Sequence, residues 1–181
     1  MSSAESALVV LVPDAEPLVD SFRQKYDPSA AEGIPAHITI LYPFLSPDRI
    51  DTAVLGFLRQ CFARVAPFRF SLAKTERLAA EVLYLAPDPA EPFRELTLAV
   101  WNRYPQTPPY GGKHTNIVPH LTVAQLADER ELDRVAEEFA KASPEKLPIH
   151  AAATEVALMD NKSGRWQVRA SLGLGGSIEN L

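Results

Sequence analysis

The chain reads as an α+β protein of two pseudo-symmetric βαβαβ-type lobes around a central cleft. Three observations predict this. Short apolar or β-branched runs alternate with segments of helical periodicity, the order of segments recurs in the second half, and His37-Ile38-Thr39-Ile40 recurs as His120-Leu121-Thr122-Val123. With 181 residues the chain suits one bilobal domain, residues 1–181, able to bury about 70% of its unfolded surface without a disulfide or metal staple.

Leu8-Val9-Val10-Leu11-Val12 is a continuous apolar run stopped by Pro13, and reads as a strand buried on both faces. Residues 17–26 carry Leu18, Val19 and Phe22 at helical spacing, and residues 37–44 are β-branched and aromatic, as a strand requires. Ser46-Pro47-Asp48 offers an N-cap, a first-turn proline and an acid at the positive end of the dipole, so a helix is expected there. Ile50, Val54, Phe57, Leu58, Cys61 and Phe62 mark its apolar face. Residues 68–72 and 82–85 read as strands.

In the second half, Phe93, Leu96, Val100 and Trp101 predict a helix ending near Pro105, followed by a Pro- and Gly-rich loop over 105–119. Residues 120–126 read as a strand. Asp128 and Glu131 suggest a capping box ahead of the apolar face Leu132, Val135, Ala136 and Phe139. Strands are expected over 149–158 and 166–172, with the turn at 161–164. The Gly-rich tail, 173–181, is expected to fray.

The repeat has three anchors. Pro13 and Pro87 lie 74 residues apart, Glu16 and Glu91 lie 75 apart, and the two histidines lie 83 apart. The units run over about 7–75 and 81–172, and the loop at 110–114 is where the extra residues fit.

The net charge of −5 and pI of about 5.4 argue against a broad electrostatic grip on duplex DNA. One cysteine, Cys61, excludes an intrachain disulfide, and its apolar setting predicts a buried thiol. No Cys or His cluster has zinc-site spacing, so no metal and no other cofactor is expected. The N-terminus has no basic n-region and residues 8–12 are too few for a membrane span, so a cytoplasmic monomer without a membrane partner is expected.

Residues two apart on a strand share a face. His37 therefore projects with Thr39, and His120 with Thr122, while Ile38, Ile40, Leu121 and Val123 anchor the opposite face. Two such strands facing each other line a cleft with two imidazoles and two hydroxyls. One neutral imidazole takes a proton from a nucleophile, and one imidazolium gives a proton to a leaving oxygen. The hydroxyls of Thr39 and Thr122 suit non-bridging phosphate oxygens. One His-x-Thr is a weak signal, since a lone strand histidine usually packs or faces solvent. Two copies on matching strands of a repeat weigh toward catalysis.

These paired motifs resemble the 2H phosphoesterase superfamily. The context Pro35-Ala36-His37-Ile38-Thr39-Ile40-Leu41-Tyr42-Pro43-Phe44 resembles its bacterial 2′-5′ RNA ligase-like branch, as do Tyr110-Gly111-Gly112 and Val118-Pro119-His120-Leu121-Thr122-Val123-Ala124. The resemblance spans about residues 8–172. It implies metal-independent chemistry on 2′,3′-cyclic phosphates or 2′-5′ linkages of nucleotides or RNA ends, with His37 as acid and His120 as base. Gln125 departs from it, since many relatives carry Arg there. Reversible 2′-5′ RNA end joining is one alternative activity. A non-catalytic module that binds nucleotides or RNA ends is another.

Tyr110, beside two glycines, is the best candidate to stack on a base, and Lys113 a lesser candidate for a second phosphate. His114 reads as a solvated loop residue and His150 as an ordinary strand residue. Packing is the expected role of Tyr42, Phe44, Tyr84 and Trp166.

Overall fold

A computed structural model of the chain describes residues 4–113 and 116–175. Among them, eight strands form one antiparallel sheet: β1 (Ser6–Leu11), β2 (His37–Leu41), β3 (Phe68–Leu78), β4 (Val82–Asp88), β5 (Leu121–Gln125), β6 (Ile149–Ala153), β7 (Glu155–Asp160) and β8 (Gln167–Gly173). Five α-helices accompany it: α1 (Glu16–Tyr26), the single turn α2 (Pro28–Ala31), α3 (Thr52–Ala63), α4 (Glu91–Arg103) and α5 (Glu129–Ala142).

The strand order is β6-β3-β4-β5-β2-β1-β7-β8. The unit β1-α1-β2 recurs as β4-α4-β5, and the motif strands β2 and β5 meet at the centre. They share one bridging pair, Ile38 opposite Leu121, whereas β1 with β2 and β4 with β5 share four pairs each. The sheet is least tied where the two halves meet.

One face of the sheet carries the main core. Leu8, Val10, Ile38, Leu85, Leu121 and Val123 pack there against Val19, Leu58, Phe62, Phe93, Val135 and Phe139 from the helices. The packing is crosswise: α1 lies on β5 and α4 on β2. The buried Thr97 hydroxyl of α4 donates to Ile40 O at 2.7 Å, fixing the first motif strand from the second repeat. On the other face of β1 and β7, Ala7, Val9, Ile34, Ala157, Met159 and Trp166 form a second, smaller apolar cluster.

Several expectations change. Residues 149–158 are two strands: β6 pairs with β3 and β7 with β1. Thr154 alone separates them in sequence, yet six strand spacings separate them in the sheet order. Flat, that is about 29 Å at about 4.8 Å per strand, whereas one residue spans at most about 3.6 Å. The sheet therefore curls until its ends approach, and Thr154 O accepts from Leu174 N at 2.8 Å. No Pro or Gly marks the switch, so local pattern reads straight through it.

The helix expected at Ser46-Pro47-Asp48 is only a 3-10 turn, Pro47–Arg49. Ser46 makes no capping bond, and Asp48 pairs with Lys162. α3 starts at Thr52, where the Asp51 carboxylate accepts from Val54 N at 2.9 Å. The capping box at α5 is half made: Asp128 accepts from Arg130 N and Glu131 N, but Glu131 turns to Arg134. Cys61 is half-buried rather than buried, and burial raises its thiol pKa. Leu174 is packed into the core. The rest of the predicted tail, 176–181, lies outside the described residues, as do His114 and Thr115. Among the described residues no helix is long and apolar enough to cross a membrane.

Candidate active site

Alternation along β2 sends Ile38 and Ile40 into the core and leaves His37 and Thr39 half-exposed on the opposite face. Along β5, Leu121 and Val123 are buried and Thr122 is half-exposed. His120 sits immediately before the first residue of β5 rather than within the strand as expected. Ile38 lies opposite Leu121 in an antiparallel pair. One step along that register sets His37 across from Thr122 and Thr39 across from His120. The four predicted side chains thus form one array, with the histidines on a diagonal.

The two rings are held alike. His37 Nδ1 lies 2.8 Å from Pro35 O, and His120 Nδ1 lies 2.7 Å from Val118 O. In each case the carbonyl belongs to the residue two before the histidine. A carbonyl only accepts, so each Nδ1 donates, and proton exchange falls to Nε2.

The rings also feel each other. The pKa of His37 is lowered to about 4, chiefly because burial penalises the imidazolium, with the Arg23 and His120 charges adding to the effect. The Pro35 carbonyl and the Asp27 carboxylate oppose it. His37 is therefore neutral at neutral pH.

Tyr110 enters the array from the loop after α4. Its backbone is left-handed, with φ 52° and ψ 34°, and Gly111 follows at φ 65°. That conformation is disfavoured for tyrosine and is held by Tyr110 N donating to Tyr42 O. The ring lies over His120, and the hydroxyl hydrogen-bonds with Thr39. Tyr110 thus joins both motifs. Lys113 follows on the same loop and is exposed. Gln125 is exposed opposite Val82, at the far end of β5 from His120.

Tyr84, on the same face as its partner Thr122, turns its ring edge to His120 with centroids 5.5 Å apart. Burial and the Glu76 carboxylate, which accepts from its hydroxyl at 3.0 Å, push its phenol up to about 12. A pocket of about 320 Å³ opens here, lined by Lys74, Glu76, Tyr84, Arg94, Val118 and Pro119 among others. It borders His120 through Val118, Pro119 and Tyr84 without being lined by a predicted site residue, and neither is the apolar hollow of about 390 Å³ beside Phe57 and Cys61. The packing roles of Phe44, Tyr84 and Trp166 hold, all three being buried, and Tyr42 packs edge-on to Trp166.

Sequence reading missed Arg23, Asp27 and Arg94. Arg23 lies on the apolar side of α1, 2% exposed, with its Nε 3.0 Å from Asp27 Oδ2. The available signal was an opposite-charge pair at i and i+4 beginning next to Phe22 on a buried face. Among the described residues, no three His, Cys, Asp or Glu side chains gather as a metal site would need.

Comparison with known proteins gives a consistent picture. The profile of the 2′-5′ RNA ligase superfamily matches residues 11–165. A protein of Bacillus pumilus named as a phosphoesterase is 32% identical over 130 residues, 69% of this chain and 73% of its own. A similarly named protein of Bacillus licheniformis is 30% identical over 131 residues, 69% and 74% of the two chains. Escherichia coli LigT, solved with 3′-AMP, superposes with a TM-score of 0.61 at 16% identity over 97% of this chain and 100% of its own. TT0787 of Thermus thermophilus gives 0.56 at 16% identity over 96% and 99%. At such identities the structural likeness is one of fold.

Proposed function

Because the chain belongs to the 2′-5′ RNA ligase superfamily, the 2H phosphoesterases, we propose that it hydrolyses 2′,3′-cyclic phosphates or related phosphodiesters of nucleotides or RNA ends, using His37 and His120 without a metal. The observation that carries this reading is the array itself: two imidazoles, each with Nδ1 committed to a carbonyl two residues upstream, on one face with Thr39 and Thr122.

In this reaction the Thr39 and Thr122 hydroxyls donate to the non-bridging oxygens and hold phosphorus between the rings. The neutral imidazole takes a proton from water as its oxygen bonds to phosphorus. The other, protonated, gives its proton to the ribose oxygen as the P–O bond breaks. The product is a 2′- or 3′-monophosphate with the other hydroxyl restored. The depressed His37 favours it as the base and His120 as the acid, the reverse of the assignment implied by family resemblance.

The pocket beside His120 is the natural place for the nucleoside, and about 320 Å³ suits one terminal nucleotide rather than a long RNA footprint. LigT has been solved with 3′-AMP, ATP and NADP+, which supports a nucleotide as ligand. The test is turnover of nucleoside 2′,3′-cyclic phosphates followed by phosphorus NMR with EDTA present. Turnover that persists in EDTA and is lost in His37→Ala and His120→Ala supports the reading. Nucleotide binding without turnover rejects it in favour of a binding module, and end joining without hydrolysis rejects it in favour of a ligase.

A further inference from the structure

We propose that Arg23 and Arg94 are a pair of positioning residues, one for each histidine, each gripping the carbonyl next to the one that fixes the imidazole. Arg23 Nη2 donates to Ile34 O at 3.0 Å, and His37 Nδ1 donates to Pro35 O at 2.8 Å. Arg94 Nε donates to Ile117 O at 3.1 Å, and His120 Nδ1 donates to Val118 O at 2.7 Å. In both halves a guanidinium holds the carbonyl three residues before the histidine, and the histidine holds the next. An arginine from the helix of each repeat thereby holds the peptide that precedes the one whose carbonyl selects the ring's tautomer.

The two arginines are not copies of one another. The repeat aligns Glu16 with Glu91, the first residues of α1 and α4, yet Arg23 lies two turns into α1 and Arg94 within the first turn of α4. Two helix positions reach the same carbonyl of the motif, so the shared contact is not a residue retained from duplication.

The surroundings differ for a covalent reason. Glu16 Oε1 accepts from Ala36 N at 2.6 Å. Pro119 stands at Ala36's place in the second motif and has no N–H. Glu91 pairs instead with Arg94 Nη1 at 3.1 Å, steadying the guanidinium whose Nε holds Ile117 O. Arg23 is steadied within the core, by Asp27 and by Ser29 Oγ at 3.1 Å. The grip on His37 is sealed, whereas that on His120 borders the pocket.

This assignment rests on the two-histidine reading, but its first test needs no turnover. Nitrogen-15 NMR of the free protein reports the tautomer of each neutral ring, and the wild type should show both as Nδ1–H. Arg94→Met should mix the His120 tautomers and leave His37 unchanged. It should also lower kcat about tenfold with KM within about twofold, because only the orientation of a reacting group is lost. Arg94→Lys, which keeps one donor, should recover part of the loss.

Arg23→Met alone would strand the Asp27 carboxylate, so R23M/D27N is used. The amide introduced by Asp27→Asn keeps an oxygen for the Ser29 N–H, and the double variant should mix the His37 tautomers alone. Arg94 is 40% exposed, so the Arg94 variants decide the proposal even where the double variant fails to fold. Unchanged ring tautomers in Arg94→Met overturn it. So does a raised KM with kcat intact, which would make Arg94 a substrate contact. Shifted tautomers in Arg94→Met, alongside a wild type without turnover, would sink the hydrolytic reading and leave the positioning intact.

Discussion

The Tyr110 ring lies over the His120 imidazole, their centroids 6.0 Å apart and their planes 28° from parallel. Its hydroxyl meanwhile bonds to Thr39 on the neighbouring strand, so one side chain bridges both motifs. Tyr110→Phe keeps the stack and loses the bridge. It should lower kcat/KM by about two- to tenfold, the range of one hydrogen bond, while Tyr110→Ala should lower it further. Steady-state kinetics on a nucleoside 2′,3′-cyclic phosphate measures both, and an Ala variant as active as wild type would remove Tyr110 from the site.

Each histidine should be worth about 10²- to 10⁴-fold in kcat, about 3–5 kcal/mol of barrier, when replaced by Ala. The double variant should be little slower than the worse single one, because the two rings serve one proton-transfer sequence. Multiplicative losses would mean that they act independently.

Substrates with different leaving groups separate acid from base. A p-nitrophenyl phosphodiester needs no protonation on departure, so it should restore much of the His120→Ala activity and little of the His37→Ala activity. Rescue of His37→Ala instead would return the roles to those implied by the family resemblance.

Proton NMR of the His37 ring should give a midpoint near 4, against about 6.5 for an unperturbed histidine. Between those values the unfolded chain binds a proton that the folded one refuses, so stability falls as pH drops from about 6.5 toward 4. His37→Ala should flatten the urea midpoint over that window. A His37 midpoint at or above 6.5 would remove the basis for making it the base.

Arg23 and Asp27 form an ion pair with both side chains 2% exposed. Arg23→Met leaves Asp27 charged and unpaired, and should cost about 3–5 kcal/mol by urea unfolding. R23M/D27N should cost distinctly less, since no buried charge remains. Equal losses would show that the pair stabilises through its shape and not its charge.

Much of the fold was legible because its signals are local. The apolar run before Pro13, the helical faces of α1, α4 and α5 and the alternation around His37 and His120 each lie within a dozen residues. The misreadings share a cause. Ser46 has the local look of a cap, and only burial of Ile50 and the pairing of Asp48 with Lys162 move the start of the helix to Thr52. Thr154 looks like mid-strand, and only the curl of the sheet makes it a crossing point.

The sequence by itself determined that two His-x-Thr segments lie at matching strands, the second starting one residue ahead of β5, and which face each side chain takes, because the period of two is a property of the backbone alone. It also displayed a recurring order of segments, which the structure carries as β1-α1-β2 and β4-α4-β5. The tertiary structure alone decided that β2 and β5 meet through a single bridging pair, that Tyr110 folds onto His120, and that arginines from unequal helix positions hold equal carbonyls. Those contacts join residues brought together by strand order and burial, and a shift of proton affinity such as that of His37 exists only once the surrounding chain has displaced part of the ring's water.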